Sequence, residues 1–268
     1  SITITSGGES VALPVKVSRA AETRPLSFRL DVQPVFMRAG CNTGSCHGSA
    51  RGQDGFRLSL FGYDPAGDYF RLTREYIGRR IDLQMPEKSL LLVKATGAVP
   101  HTGGKSMLPD SAYYHTLKDW IAAGAKDDPE GTPHATGIRA LPEKMILRAA
   151  AQNPLLHRTV VLADYSDGSV RDITNLALYL TNNEGVLSID KSGTVTSRTS
   201  GGAWVLARFD KFTAGSEVIV LPEQRKFAWP ENVQPVNYID EAVFARLKQL
   251  QIPSSPPADD AAFLRRVR

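Results

Sequence analysis

The chain has 268 residues, 42% of them hydrophobic and 22% charged, with a formal net charge of +4. Ordinary globular composition at this length predicts about two domains. The small charge excess, with no run of five like charges, excludes a nucleic-acid scaffold. No apolar run is long enough to span a bilayer, so no membrane span is expected.

Residues 1–30 carry the alternating runs Ile2–Thr5 and Val11–Val17 around Gly7-Gly8. They read as short strands joined by a turn, too few to form a sandwich by themselves.

The two cysteines of the chain follow in Cys41-Asn42-Thr43-Gly44-Ser45-Cys46-His47-Gly48. A histidine directly after the second cysteine is the signature of c-type haem attachment, in which two thiols add to the haem vinyl groups and the imidazole reaches the iron. The usual motif has two residues between the cysteines; here there are four. On the residues alone, two other readings stay open. A disulfide could close this short loop, and structural zinc would need two further ligands, for which no second Cys/His cluster exists.

Downstream, Phe56, Leu58, Leu60, Phe61, Leu90, Leu91, Leu92 and Trp120 could wall off a haem or simply form a small core. Arg51, Arg57, Arg79, Arg80 and Lys105 could meet propionates or a docking partner, or be solvated. Ser111–Ala125 predicts a helix capped by Ser111 and stopped at Gly124, with Tyr113, Leu117, Trp120 and Ile121 on one face. Its Trp-Ile-x-x-Gly-Ala ending resembles the last helix of planctomycete-type cytochrome c domains. The whole run from Asp31 to Ala125 is similar to one branch of that family, through the Cys41–Gly48 block, Gly55–Pro65 and His101-Thr102-Gly103-Gly104-Lys105.

This resemblance implies a mainly α, class I-like cytochrome c domain over residues 31–127. It implies one covalently bound haem c, attached through Cys41 and Cys46, with His47 as the proximal iron ligand. Commoner members supply the distal ligand from a Met-Pro-Pro segment ahead of the Trp-Ile pair. Here His101 lies nineteen residues before Trp120 and Met107 thirteen, so the distal ligand is expected to be His101, with Met107 as the alternative. Met85 reads as a core residue, and His115, His134 and His157 carry no partner motif.

Residues 128–137, rich in Asp, Pro, Gly and Thr, read as a linker. From 138 to 222 the pattern turns to period two, with runs at Thr159–Tyr165, Val170–Thr174, Val186–Asp190, Thr194–Ser197, Ala203–Phe209 and Glu217–Leu221. Asp167-Gly168 marks a hairpin. The blocks Tyr165–Thr174 and Ile189–Val195 resemble the bacterial Ig-like group 2 family, which implies an all-β Ig-like sandwich acting as a spacer or adhesion module. Asp164, Asp167, Asp172 and Asp190 are expected at turns or on the solvent face, not in a calcium site.

Residues 223–268 predict two helices, around Tyr238–Leu250 and from Asp259, and resemble the opening of a planctomycete domain that follows such cytochromes. The C-terminal domain itself is expected to be missing from this chain. The overall expectation is a multidomain, periplasmic or otherwise exported haem protein that passes electrons to a redox partner protein or to that domain, a redox module rather than an enzyme by itself, with enzyme status left open. Two alternatives are a haem sensor or peroxidase-like site with a displaceable distal ligand, and a haem-free adhesion scaffold stapled by Cys41–Cys46.

Overall fold

The computed structural model describes residues 1–18, 20–21, 24–149, 156–223, 227–231, 233–255 and 258–267. Strands β1 (Ile2–Ser6) and β2 (Glu9–Leu13) pair antiparallel about the Gly7-Gly8 turn, exposed along their whole length.

Ser27 then caps a single π-helical turn, Phe28–Val32, by accepting from the Leu30 amide at 3.0 Å. The turn runs into α1 (Gln33–Arg38). Its two leading amides, Phe28 and Arg29, donate to the Asp128 carboxylate at 3.0 and 2.8 Å, which ties the start of this segment to its end. Helix α2 (Pro65–Thr73) starts at the Asp64 cap. Its fully buried Asp68 accepts from Gln33 Nε2, the Ser59 amide, the Ser59 hydroxyl and Arg71, so the buried charge is fully bonded. Helix α3 (Leu90–Ala95) and helix α4 (Ala112–Ala122) complete the segment. As expected from the sequence, Ser111 caps α4 and Gly124 ends it in a left-handed conformation, while Leu117, Trp120 and Ile121 are buried. Trp120 is the largest side chain of a core shared with Phe28, Phe36, Leu58, Tyr69 and Leu92.

The expected mainly α, class I-like domain is corrected by this architecture. The four helices between residues 31 and 127 have only six, nine, six and eleven residues. The chain as a whole is built chiefly of β-structure, with twelve strands in four sheets among the described residues. The blocks behind the resemblance, Cys41–Gly48, Gly55–Pro65 and His101–Lys105, lie mostly on loops and turns, apart from the short helical turn Leu60–Gly62 and the first residue of α2. Glycines at positive φ explain why: Gly40, Gly52, Gly55, Gly62, Gly97 and Gly104 all adopt backbone angles that end a helix.

The β-rich part begins with β3 (Ala135–Leu141), inside the stretch read as a linker, and continues through β4 (Lys144–Arg148) and β5 (Leu156–Arg158). Strands β6 (Val160–Tyr165) and β7 (Val170–Asp172) form the expected Asp167-Gly168 hairpin. Then come β8 (Leu178–Thr181), β9 (Leu187–Ile189), β10 (Thr194–Ser197), β11 (Gly201–Phe209) and β12 (Phe212–Leu221). They form three sheets, ordered β3-β6-β7, β4-β12-β11-β8 and β5-β10-β9, instead of the two-sheet Ig-like sandwich expected. The β4–β12 pair is parallel and the other pairs are antiparallel.

Leu30 and Met37, from the α1 region, pack into one core with Val161, Ala163, Ile173 and Phe209, so the helical and β-rich parts are joined by buried apolar contact. Helices α5 (Tyr238–Gln249) and α6 (Asp260–Arg266) bury no side chain, although Arg246 on α5 pairs with Glu217 on β12. Among the described residues no helix is long and apolar enough to cross a membrane.

Candidate functional site

Helix α1 delivers the chain directly into the Cys41–Gly48 loop. The Cys41 amide donates to Phe36 O at 2.9 Å, and the His47 amide returns to Cys41 O at 3.0 Å. Two further amides, Cys46 and Gly48, donate to Thr43 O, coiling the four intervening residues outward. Gly48 has no alternative here: an added Cβ would lie 2.1 Å from Asn42 O. The outward coil does not expose the whole spacer. Gly44 and Ser45 face solvent, but Asn42 is fully buried, and neither polar atom of its amide has a hydrogen-bond partner. Both cysteines are free thiols.

His47 and His101 come from different loops and meet across one cavity. Their ring centroids lie 6.3 Å apart, with the planes 9° from parallel. Each Nδ1 is engaged by a backbone carbonyl: His47 donates to Phe56 O at 2.9 Å and His101 to Gly104 O at 2.8 Å. That fixes the tautomer and leaves each Nε2 with its lone pair. The Phe56 carbonyl is presented by a tight turn in which Gln53 and Phe56 exchange amide bonds at 2.9 Å, with Gly52 at φ 68°. The Phe56 ring lies 4.8 Å from the His47 ring, and the Arg80 guanidinium sits 4.5 Å from the Phe56 centroid.

The cavity, about 300 Å³, is lined by Phe36, Cys41, Cys46, His47, Phe56, Leu58, Leu90, Leu91 and His101. Of the apolar wall expected from the sequence, Phe56, Leu58, Leu90 and Leu91 are in place. Leu92 and Trp120 instead belong to the core behind it, and Phe61 turns toward the β-rich part. Met107, the alternative ligand, is buried in that same core and does not line the cavity. Among the basic residues singled out, Arg79 and Arg80 line the cavity. Arg80 is buried and spends its guanidinium on Arg71 O, Glu75 O and Gly55 O, making it a clamp on the loops.

Lys94, Asp54, Gln53 and Ser106 also line the cavity and were not singled out in the sequence. Lys94 had a legible signal: it stands four residues after Leu90 on α3, the spacing of one helical face.

Burial is the largest effect on His47 and lowers its pKa below the usual histidine value. The Phe56 carbonyl and Asp54 oppose that shift, and His101 and Lys94 add to it. Burial also pushes the Cys41 thiol up to about 11, against a hydrogen bond from Ser106. Both groups are therefore neutral at pH 7, a free imidazole beside an intact thiol.

The cavity brings together two thiols and two imidazoles, each imidazole held at Nδ1 by a backbone carbonyl. No group of three or more His, Cys, Asp or Glu side chains able to hold a metal ion occurs among the described residues. Compared with protein-family models and with curated proteins, the chain matches none.

Proposed function

We propose that this chain is a c-type haem protein for electron transfer, carrying one haem attached covalently through Cys41 and Cys46. The observation that carries the reading is the pair of near-parallel imidazoles, each fixed at Nδ1 by a backbone carbonyl, lining one cavity with two free thiols. Cys41 and Cys46 would hold the haem through thioether bonds, each thiol giving its hydrogen to the vinyl group it joins, so that no oxidant would be needed. His47 and His101 offer their Nε2 atoms as axial ligands. Phe36, Phe56, Leu58 and Leu91 exclude water from the site, and Arg79 and Lys94 supply positive charge at its wall. When bound, the haem supplies one-electron redox chemistry. Two such side-chain ligands would leave a bound haem no open position for a substrate, which favours electron transfer over turnover. Two imidazoles should also give a lower potential than a His/Met pair. The partner is a redox protein or a further domain of a longer protein, and the location is periplasmic or otherwise exported, because covalent haem attachment takes place outside the cytoplasm.

Expression with c-type maturation machinery, followed by a pyridine haemochrome assay and intact mass, tests the reading. One added haem mass, a c-type haemochrome and a low-spin spectrum are expected; no added haem overturns it. His101→Ala should turn the spectrum high-spin, whereas Met107→Ala should leave it low-spin.

The haem-sensor reading has one observation in its favour. His101 sits on a turn whose Thr102, Gly103 and Gly104 are exposed, and its ring is anchored only to Gly104 within that turn. Rapid carbon monoxide binding to the reduced protein would favour it; a spectrum unmoved by carbon monoxide supports electron transfer.

A further inference from the structure

A second cavity, about 270 Å³, lies between the α1 region and the β-rich part. It is independent of the Cys41–His101 site, although the two share α1: Phe36 faces one cavity, and Gln33, Pro34 and Met37 line the other. Its apolar lining is Met37, Phe61 and Phe209, with Leu30 and Pro34 beside them. Its charged and imidazole groups come from three separate places in the chain, Arg29 before α1, His134 before β3, and Asp210-Lys211 in the β11–β12 turn, with Gln33, Tyr63 and Tyr165 adding neutral polar groups.

Two cations line this cavity, and the Lys211 ammonium also lies 5.4 Å from the Phe212 ring centroid. Among the described residues neither Arg29 nor Lys211 makes an ion pair, and the one side-chain hydrogen bond of Arg29 is a long 3.5 Å contact to Thr132 O. Asp210 is the one carboxyl among the lining residues, half-buried, so two cations outnumber it. The volume is near the lower end of ligand cavities, which run from about 300 to 1,000 Å³, and suits a single ring with a short arm.

We propose that this cavity is a binding site for a small aromatic carboxylic acid, its ring among Met37, Phe61 and Phe209 and its carboxylate between Arg29 and Lys211. An aromatic ring suits a wall of thioether and phenyl groups, which offer sulfur–aromatic and edge-to-face contacts. A carboxylate suits a guanidinium that can bind it in a bidentate fork. A cation of the same shape would meet two like charges, and a neutral ligand would gain neither charge-assisted contact.

The probe is 3-phenylpropionate, titrated calorimetrically into the whole chain, with 3-phenylpropan-1-ol and 3-phenylpropylamine as neutral and cationic counterparts. Saturable binding of the acid is expected, at least about tenfold tighter than the alcohol, as one charge-assisted contact implies, with no binding of the amine. Methyl-labelled methionine gives the location: of the four methionines, Met37 should shift on titration while Met107 and Met145 stay in place. Lys211→Gln, an exposed substitution, should weaken binding about threefold or more, and Arg29→Gln combined with it about tenfold or more. The proposal is overturned if no saturable binding is found, if the alcohol or amine matches the acid, if Met37 does not move, or if Lys211→Gln leaves the affinity unchanged.

Discussion

Gly48 shows how much of the candidate site depends on a single missing side chain. A Cβ there would meet three backbone atoms, Asn42 O at 2.1 Å, the Asn42 carbonyl carbon at 2.6 Å and Thr43 O at 2.8 Å, and a backbone cannot swing aside as a flexible side chain can. Two other glycines of the same region separate this effect from others. Gly55 adopts φ 74° with open space around it, so Gly55→Ala carries only the left-handed backbone penalty of about 1–2 kcal/mol. Gly44 has neither constraint, its nearest neighbour being Leu60 at 3.9 Å, so Gly44→Ala should be close to neutral. Gly48→Ala should cost about 2–3 kcal/mol, at the upper end of ordinary point substitutions, and should displace His47, the preceding residue. Urea unfolding of the three variants, with haem yield per chain, checks this ordering. A Gly48→Ala protein as stable as Gly55→Ala would mean that the loop accepts the methyl group.

At the scale of elements, α5 presents the question of what holds an exposed helix in place. It buries no side chain, yet its Arg246 reaches Glu217 on β12, which also pairs with Lys144 on β4 at 3.1 Å. The hydrogen bond from Lys144, followed by that from Arg246, holds the Glu217 carboxyl below its ordinary value of 4.5. A carboxyl lowered on folding contributes stability that is present above the ordinary value and lost as the pH falls through the depressed one. Amide exchange along Tyr238–Gln249 should therefore quicken as the pH falls below about 4.5, after correction for the intrinsic exchange rate. Glu217→Gln should give that faster exchange already at pH 7. Equal protection in the variant and the parent would show that α5 is held by something else. This contact was not legible in the sequence: Arg246 and Glu217 are twenty-nine residues apart and no local pattern joins them. What was legible is local. The Ser111 cap and Gly124 stop of α4 and the Asp167-Gly168 hairpin all follow from short-range backbone chemistry. The mainly α character expected for residues 31–127 came from the family resemblance, and the left-handed glycines Gly40, Gly52, Gly55, Gly62, Gly97 and Gly104 keep its helices short. Cys41, Cys46 and His47 stood out as a contiguous motif, and His101 was reachable by its distance from Trp120. Asp54 and Gln53 were not, because only the turn that presents the Phe56 carbonyl brings them to the cavity.

For the whole molecule, the decisive feature is that its helical and β-rich parts are not independent beads. Leu30 and Met37 leave the α1 region to join the core formed by Val161, Ala163, Ile173, Ala207 and Phe209. Around that contact, Arg38 Nε donates to Asn175 O at 3.0 Å and the Tyr113 hydroxyl donates to the same carbonyl at 2.5 Å. The junction is therefore apolar at its centre and hydrogen-bonded at its rim, as in a domain interior rather than a flexible tether. Because α1 leads directly into Cys41, the β-rich part fixes the direction from which the chain enters the loop of thiols and imidazole. Met37 is 2% exposed, and Met37→Ala should cost about 2–5 kcal/mol. If the two parts unfold as one unit, near-ultraviolet dichroism of Trp120 in the helical core and fluorescence of Trp204 on β11 should report a single transition. Single-tryptophan variants can separate the two signals. In Met37→Ala both midpoints should move down together by the same amount. A shift confined to one tryptophan would show that the junction does not couple the two parts, and that the cavity holding Cys41, Cys46, His47 and His101 is set by the helical segment alone.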